Sequence, residues 1–130
     1  MDAKVENSNG VYVINLSGQM NFETADQLKT QCLKNFSSHD IILNLKELNF
    51  VGSSGITPFL ELIDELAKSL GNRFKICSVG VDFMRLFQSS DADGIEIYKD
   101  VNDARLAFVN GAEALAITRL KPFGLKVSIE

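Results

Sequence analysis

The sequence is poor in the residues that build most catalytic and metal centres. It holds one histidine, His39, and two cysteines, Cys32 and Cys77. His39 stands in a polar turn after a helical pattern, with no second histidine or Cys/Asp cluster nearby in sequence. A surface residue fits that setting better than a ligand or general base. The cysteines are far apart and each sits in an apolar pattern, which reads as two buried, reduced thiols and argues against a disulfide framework or a metal site. Positive charge is also scarce: 13 Lys and Arg against 17 Asp and Glu give a net charge of −4. With no dense Lys/Arg block or basic stripe, direct nucleic-acid binding is not expected. No apolar run is long enough to span a bilayer, and Met1 to Glu6 carries no apolar signal-like region. The expected setting is the cytoplasm, without membrane insertion. Internal repeats and low-complexity linkers are absent as well.

What is present is an ordinary globular composition. The 130 residues, 45% hydrophobic and 23% charged, suit one domain with a real core. Val11 to Leu16 is β-rich with apolar groups on both faces, as in a strand inside a sheet. Ala3 to Asn7 can pair with it through Asn7-Ser8-Asn9-Gly10, because Asn-Gly is a strong hairpin signal. Gly18-Gln19-Met20-Asn21 closes this strand, and Asn21 is suited to cap the helix that follows. Phe22, Ala25, Leu28, Cys32 and Phe36 mark the buried stripe of that helix, over Phe22 to Asn35. Ser37 to Asp40 is a turn into a buried strand, Ile41 to Leu45. Ile56, Phe59, Leu60, Ile63, Leu66, Ala67 and Leu70 then recur at helical spacing until Gly71-Asn72.

Arg73 to Val79 is the next strand, with Phe74, Ile76 and Ser78 alternating against Lys75, Cys77 and Val79. A short helix follows, with Val81, Met84, Leu86 and Phe87 as its apolar set, and Ser89 to Gly94 breaks it. Ile95 to Tyr98 reads as a strand, and Val101, Ala104, Leu106, Ala107 and Phe108 as a last helix. The order β-β-α-β-α-β-α-β-α implies an α/β fold: a mixed, mostly parallel sheet of four to five strands with four helices packed against it. The domain is expected to cover 1–110, with 111–130 as a C-terminal extension. That extension has a short helical pattern (Ala112, Leu115, Ala116), a break at Lys121-Pro122-Phe123-Gly124, and a candidate strand at Leu125, Val127 and Ile129. It is too apolar for simple disorder and could pack on its own domain or add a strand to a neighbour's sheet.

The candidate functional centre is Gly52-Ser53-Ser54-Gly55, a small-residue turn between the central strand and the second helix. Free backbone N–H groups and the helix dipole favour negative charge at such a position. The turn lacks the spacing of a nucleophile elbow, an available base, and the glycine pattern and lysine of a P-loop. Asp91 to Gly94 has an Asp-x-Asp-Gly start but not the rest of a calcium ladder. No catalytic residue, metal ligand or cofactor is therefore expected. One reading of the serines is structural: a hydroxyl caps the helix and the glycines permit the turn. The other is that a hydroxyl is exposed for phosphorylation, which would add nearly two charges where the dipole tolerates them. Pro58 bears on where the helix starts. With Ser54 as cap it falls where a helical N–H is wanted, whereas with Thr57 as cap it sits comfortably at the first helical position.

The element order and this turn resemble the STAS domain, in particular the bacterial anti-sigma-factor antagonists. The resemblance runs from about Val5 to Val109. It includes the Gly18 turn, the Lys75-Ile76-Cys77-Ser78-Val79-Gly80 strand end, Val81 to Phe87, Asp93-Gly94-Ile95, Ile97-Tyr98 and Asp103-Ala104. It implies a non-enzymatic regulatory protein that binds an anti-sigma factor with serine-kinase activity and is switched off by phosphorylation. A phosphatase would reset it. The resemblance places the phosphorylated residue at Ser53, with Ser54 as the alternate, and partner contacts at Gly52, Ser53, Ser54, Gly55 and Asn21. Gly52 and Asn21 stand where the family usually has aspartates. The alternative within the same family is an unphosphorylated scaffold subunit of a signalling or lipid-transport complex. A homodimer is left open.

Overall fold

The structure is a computed structural model that describes residues 2–8, 10–19, 21–36, 38–49, 53–89, 95–110, 118–120 and 126–128. The elements run β1 (Asp2–Ser8), β2 (Val11–Gly18), α1 (Phe22–Asn35), β3 (Asp40–Leu48), α2 (Ser53–Leu70), β4 (Phe74–Cys77), α3 (Val81–Ser89), β5 (Glu96–Tyr98) and α4 (Val101–Asn110). This is the expected single α/β fold, with five mostly parallel strands and four helices. Two short strands follow, β6 (Thr118–Leu120) and β7 (Lys126–Ser128).

The strands lie side by side in chain order. β1 and β2 form the hairpin that Asn-Gly announced, with Gly10 at φ 86° and its N–H donating to Asn7 Oδ1 at 3.1 Å. From β2 through β5 every pairing is parallel. Parallel neighbours need crossovers, and crossovers are almost always right-handed. When each crossover also steps the same way along the sheet, its helix must land on the same face. The core confirms this: Ala25, Leu28 and Cys32 of α1, Phe59, Leu62, Ile63 and Leu66 of α2, and Phe83 and Phe87 of α3 share one cluster with Ile14, Leu16, Ile41, Leu43, Phe74, Ile76 and Ile97. Phe59 joins α2 to α3 through ring contacts at 5.1 Å with Phe83 and 5.7 Å with Phe87. Burying each such ring contributes roughly 1.5–3 kcal/mol.

A bulge keeps this face continuous near the ends of β2 and β3. The register jumps from Asn15↔Asn44 to Ser17↔Glu47, so Leu45 and Lys46 together oppose Leu16. Leu45 and Leu48 consequently both face the helices although they are three residues apart, which strict alternation forbids.

α4 comes after the last parallel strand and covers the opposite face. Val11, Val13, Ile42, Cys77 and Tyr98 point to it and pack with Ala104 and Ala107. Under α4 lies a polar layer that the alternation did not reveal. Lys75, on this face of β4, donates from Nζ to Glu96 Oε2 at 2.8 Å, and both side chains are buried. Tyr98 Oη donates to Glu96 Oε1 at 3.2 Å, and the ammonium lies 4.6 Å from the centre of the Phe108 ring. Both cysteines are free and buried, and burial pushes each thiol up to about 11.

Several apolar assignments change. Phe22 is 65% and Val81 70% exposed instead of belonging to buried stripes. Each is the first residue of its helix, in the loop-proximal turn that follows a strand. The buried pair of α3 is Phe83 and Phe87, and Leu106 of α4 is exposed. In the extension, β6 pairs antiparallel with β5 and β7 with β6. Val127 thus lies in a strand, as does Arg119. The helical pattern at 112–116 and the Asp91 to Gly94 turn lie outside the described residues.

Removing one half of the buried pair leaves an uncompensated charge. Lys75→Met is expected to cost about 3–5 kcal/mol in urea unfolding, whereas Lys75→Met with Glu96→Leu returns to within about 1 kcal/mol of the parent.

Candidate functional site: the edge where three helices begin

The parallel topology brings the loops after β2, β3 and β4 to the same sheet edge, and α1, α2 and α3 each begin there. α2 is the middle of the three, since α1 contacts it on one side and the Phe59 rings join it to α3 on the other. The start of α2 is therefore the centre of this edge.

At α1, Asn21 is the N-cap in extended backbone, φ −131° and ψ −178°. Its Oδ1 accepts from Thr24 N at 3.0 Å, and Thr24 Oγ1 accepts from Asn21 N at 3.0 Å, a reciprocal capping box. The cap expected at Asn21 is present; the partner, Thr24, was missed because the sequence signal for this box is Glu or Gln at that place. Asn49 N donates to Gly18 O at 2.8 Å and ties the loop after β3 to the loop after β2. On the far side, Ser78 follows β4 in the left-handed region, φ 58°, with its N–H donating to Tyr98 O at 3.2 Å. The chain then turns into α3, whose Met84 N donates to Gly80 O.

Ser53 is the first and Ser54 the second residue of α2. The helix thus begins ahead of both expected caps: neither Ser54 nor Thr57 precedes it, and Pro58 lies inside. Proline has no N–H for the carbonyl four residues back, that of Ser54, and its ring crowds that carbonyl. The turn carrying both serines is therefore held to the rest of α2 by one hydrogen bond fewer than an ordinary helix would provide. Gly55 is buried, so in the free chain it shapes this turn without offering accessible surface. Gly52 and the side chains of Ser53 and Ser54 lie outside the described residues.

The surroundings are acidic and apolar. The first turns of α1 and α3 carry Glu23 and Asp82, while that of α2 carries no acidic residue. The positive end of the α2 dipole is thus left without a carboxylate of its own turn. Between α1 and α2, Phe22, Asp26, Lys29, Pro58 and Glu61 line a shallow groove, with Lys29 Nζ 3.7 Å from Asp26 Oδ1. The exposed rings and methyls of Phe22 and Val81 stand at the two flanks. Sequence periodicity placed both in the core; their position at the first turn was the signal that they could project beyond it.

No group of three or more His, Cys, Asp or Glu that could hold a metal is found among the described residues. His39 lies far from this edge in the chain, edge-on to the Tyr12 ring at 4.8 Å. No described helix is long and apolar enough to cross a membrane.

The STAS domain pattern matches residues 2–104. The chain belongs to the STAS domain family. An anti-sigma F factor antagonist of Paenibacillus polymyxa is 28% identical over 93 residues, covering 69% of this chain and 79% of the relative. An anti-sigma factor antagonist from Mycobacterium paratuberculosis has a similar structure, with TM-score 0.62 and 24% identity over 82% of this chain and 92% of the other. The Bacillus cell fate determinant SpoIIAA in its phosphorylated form matches with TM-score 0.57 and 21% identity over 82% of this chain and 99% of the other. These structural likenesses establish a shared fold. This STAS chain is thus related at low identity to anti-sigma factor antagonists.

Replacing the STAS cap tests how firmly the α1 end of the edge is held. Asn21→Ala is expected to lower stability by about 1 kcal/mol in urea unfolding, and Asn21→Asp to stay within about 0.5 kcal/mol of the parent.

Proposed function

We propose that this chain is a non-enzymatic, cytoplasmic anti-sigma-factor antagonist. It binds an anti-sigma factor that is also a serine kinase, and phosphorylation at Ser53, with Ser54 as the alternate acceptor, ends the association. A phosphatase restores the binding form. The unit responsible is 1–110, with 111–130 as an extension of it. The observation that carries this reading is the place of Ser53: first residue of α2, at the centre of an edge where three helices begin. The partner contacts proposed are Gly52, Ser53, Ser54, Gly55 and Asn21; of these, Asn21 caps α1 and Ser53 to Gly55 form the first turn of α2 on that edge, while Phe22 and Val81 add exposed apolar contact on either side.

The chemistry asked of this chain is modest. It supplies an acceptor hydroxyl, while the kinase transfers to it the γ-phosphoryl group of ATP, with ADP as leaving group, and takes up the hydroxyl proton. The product dianion is tolerated in the free protein, because the α2 first turn has no competing carboxylate and the start of a helix favours negative charge through its dipole and free N–H groups. In a packed interface the same dianion must be stripped of water without a designed partner. That costs several kcal/mol, about two orders of magnitude or more in affinity. The phosphorylated form of a STAS relative supports the idea that this fold accommodates the group.

Gly52 and Asn21 favour a second reading, a STAS scaffold subunit that is never phosphorylated, since both replace carboxylates usual in the antagonists. The two separate cleanly by experiment. Each serine-kinase-type anti-sigma factor of the source genome is purified and mixed with the full chain and ATP, with intact mass and binding measured. One phosphoryl group, absent in Ser53→Ala, and at least tenfold weaker binding by the phosphorylated chain are expected. Phe22→Ser and Val81→Ser should each weaken binding several-fold with unchanged melting. Equal binding by Ser53→Ala and Ser53→Asp, without phosphorylation, would favour the scaffold.

A further inference from the structure

β1 ends the sheet. β2 pairs along one side of it, and no strand lies against the other among the described residues. Sheet edges of this kind are usually kept from pairing by short length, bulges, proline or charged side chains, and of these β1 has only the charges. β1 is seven residues long and pairs with β2 without a register shift. It is also open to solvent on its helix side, where Ala3, Val5, Thr24, Gln27, Leu28 and Gln31 line a groove of about 310 Å³ between β1 and α1. Val5 is 46% exposed there.

Its charges are arranged in a particular way. Ala3 and Val5 stand opposite Leu16 and Ile14, which face the helices, so Asp2, Lys4 and Glu6 occupy the other face. Neither Lys4 nor Glu6 forms an ion pair among the described residues. Their neighbours across β2 are the uncharged Asn15 and Val13.

A twofold axis perpendicular to the sheet keeps every side chain on its own face, so each self-pairing register is centred on one residue. Centred on Lys4, pairing sets Lys4 against the partner's Lys4 and Glu6 against the partner's Asp2. Centred on Glu6, it sets Glu6 against the partner's Glu6. Centred on Ala3, it joins Asp2 to Lys4 twice but uses only three residues of the strand. Centred on Val5, it uses the whole strand, places Lys4 opposite the partner's Glu6 twice, and closes Val5 on the partner's Val5. Opposite charges and apolar groups directly across an antiparallel pair are what stabilise it.

We infer that β1 is a self-pairing edge: two copies of this chain join β1 to β1 antiparallel about Val5, forming one continuous sheet. The edge in which three helices begin stays free in both copies, because it lies at the strand ends and not along β1.

The test is sedimentation velocity of the full chain over about a hundredfold range of concentration. The parent should pass from monomer to dimer. Lys4→Glu and Glu6→Lys should each lower the association constant about tenfold or more, since each sets like charges across the pair twice. An equimolar mixture of the two variants should regain the parent's association, because carboxylates at 4 and 6 of one copy then face ammonium groups of the other. All positions changed are exposed, so melting should not move. A chain that stays monomeric overturns the inference. So do open-ended oligomers, a dimer indifferent to both swaps, or a mixture that fails to recover.

Discussion

The fold rests on one constraint: four parallel strands laid down in chain order, each linked to the next by a crossover of the same hand. From this follows the single face taken by α1, α2 and α3; α4 comes after these crossovers and, among the described residues, is the helix that covers the other face. The same constraint sets the start of all three front helices along one edge. Ser53 is central because β3 is central, and for no reason peculiar to serine. The bulge at Leu45 and Lys46 adjusts the last turn of this arrangement by returning Leu48 to the core just before the serine segment.

The two faces of the sheet carry different kinds of cohesion. The front is held by aliphatic and phenyl packing, with Phe59 as the hinge between α2 and α3. Behind the sheet, α4 offers mainly alanines, and the space beneath it is filled by Lys75, Glu96 and Tyr98 around the Phe108 ring. An ion pair buried at this depth contributes less net stability than its contact distance implies, because both charges had to be dehydrated. Its geometry nevertheless fixes β4, β5 and α4 relative to one another. The Lys75–Glu96 layer lies on the face away from α1, α2 and α3, so a charge added at the start of α2 need not disturb it.

Much of this was legible in the residues themselves. The hairpin at Asn9-Gly10, the cap at Asn21 and the helical spacing from Ile56 to Leu70 are local signals, and local signals survive folding. What failed were inferences that depend on where an element stops. Phe22 and Val81 have the spacing of core residues, yet each opens its helix in the loop-proximal turn after a strand and is exposed. Lys75 and Glu96 were illegible for the converse reason: alternation gives a side chain its face but not its cover, and α4 arrives from later in the chain. Pro58 suggested a helix start with Ser54 or Thr57 as cap; the fold takes neither, and α2 begins at Ser53 with both serines inside its first turn. Nothing in composition singled out Ser53; it was the family resemblance, together with the turn's position after the central strand, that did so.

If phosphorylation acts by altering a surface on an unchanged scaffold, its effect should be visible residue by residue. Amide chemical shifts of the unmodified and Ser53-phosphorylated chain provide the most direct comparison. Shifts are expected to move in the loops and first turns where α1, α2 and α3 begin, around Gly18 to Thr24, 49–59 and Ser78 to Phe83. α4, β5 and the Lys75–Glu96 layer should keep their positions. Changes spreading through α4 and β5, or a folded signal lost on modification, would contradict the account.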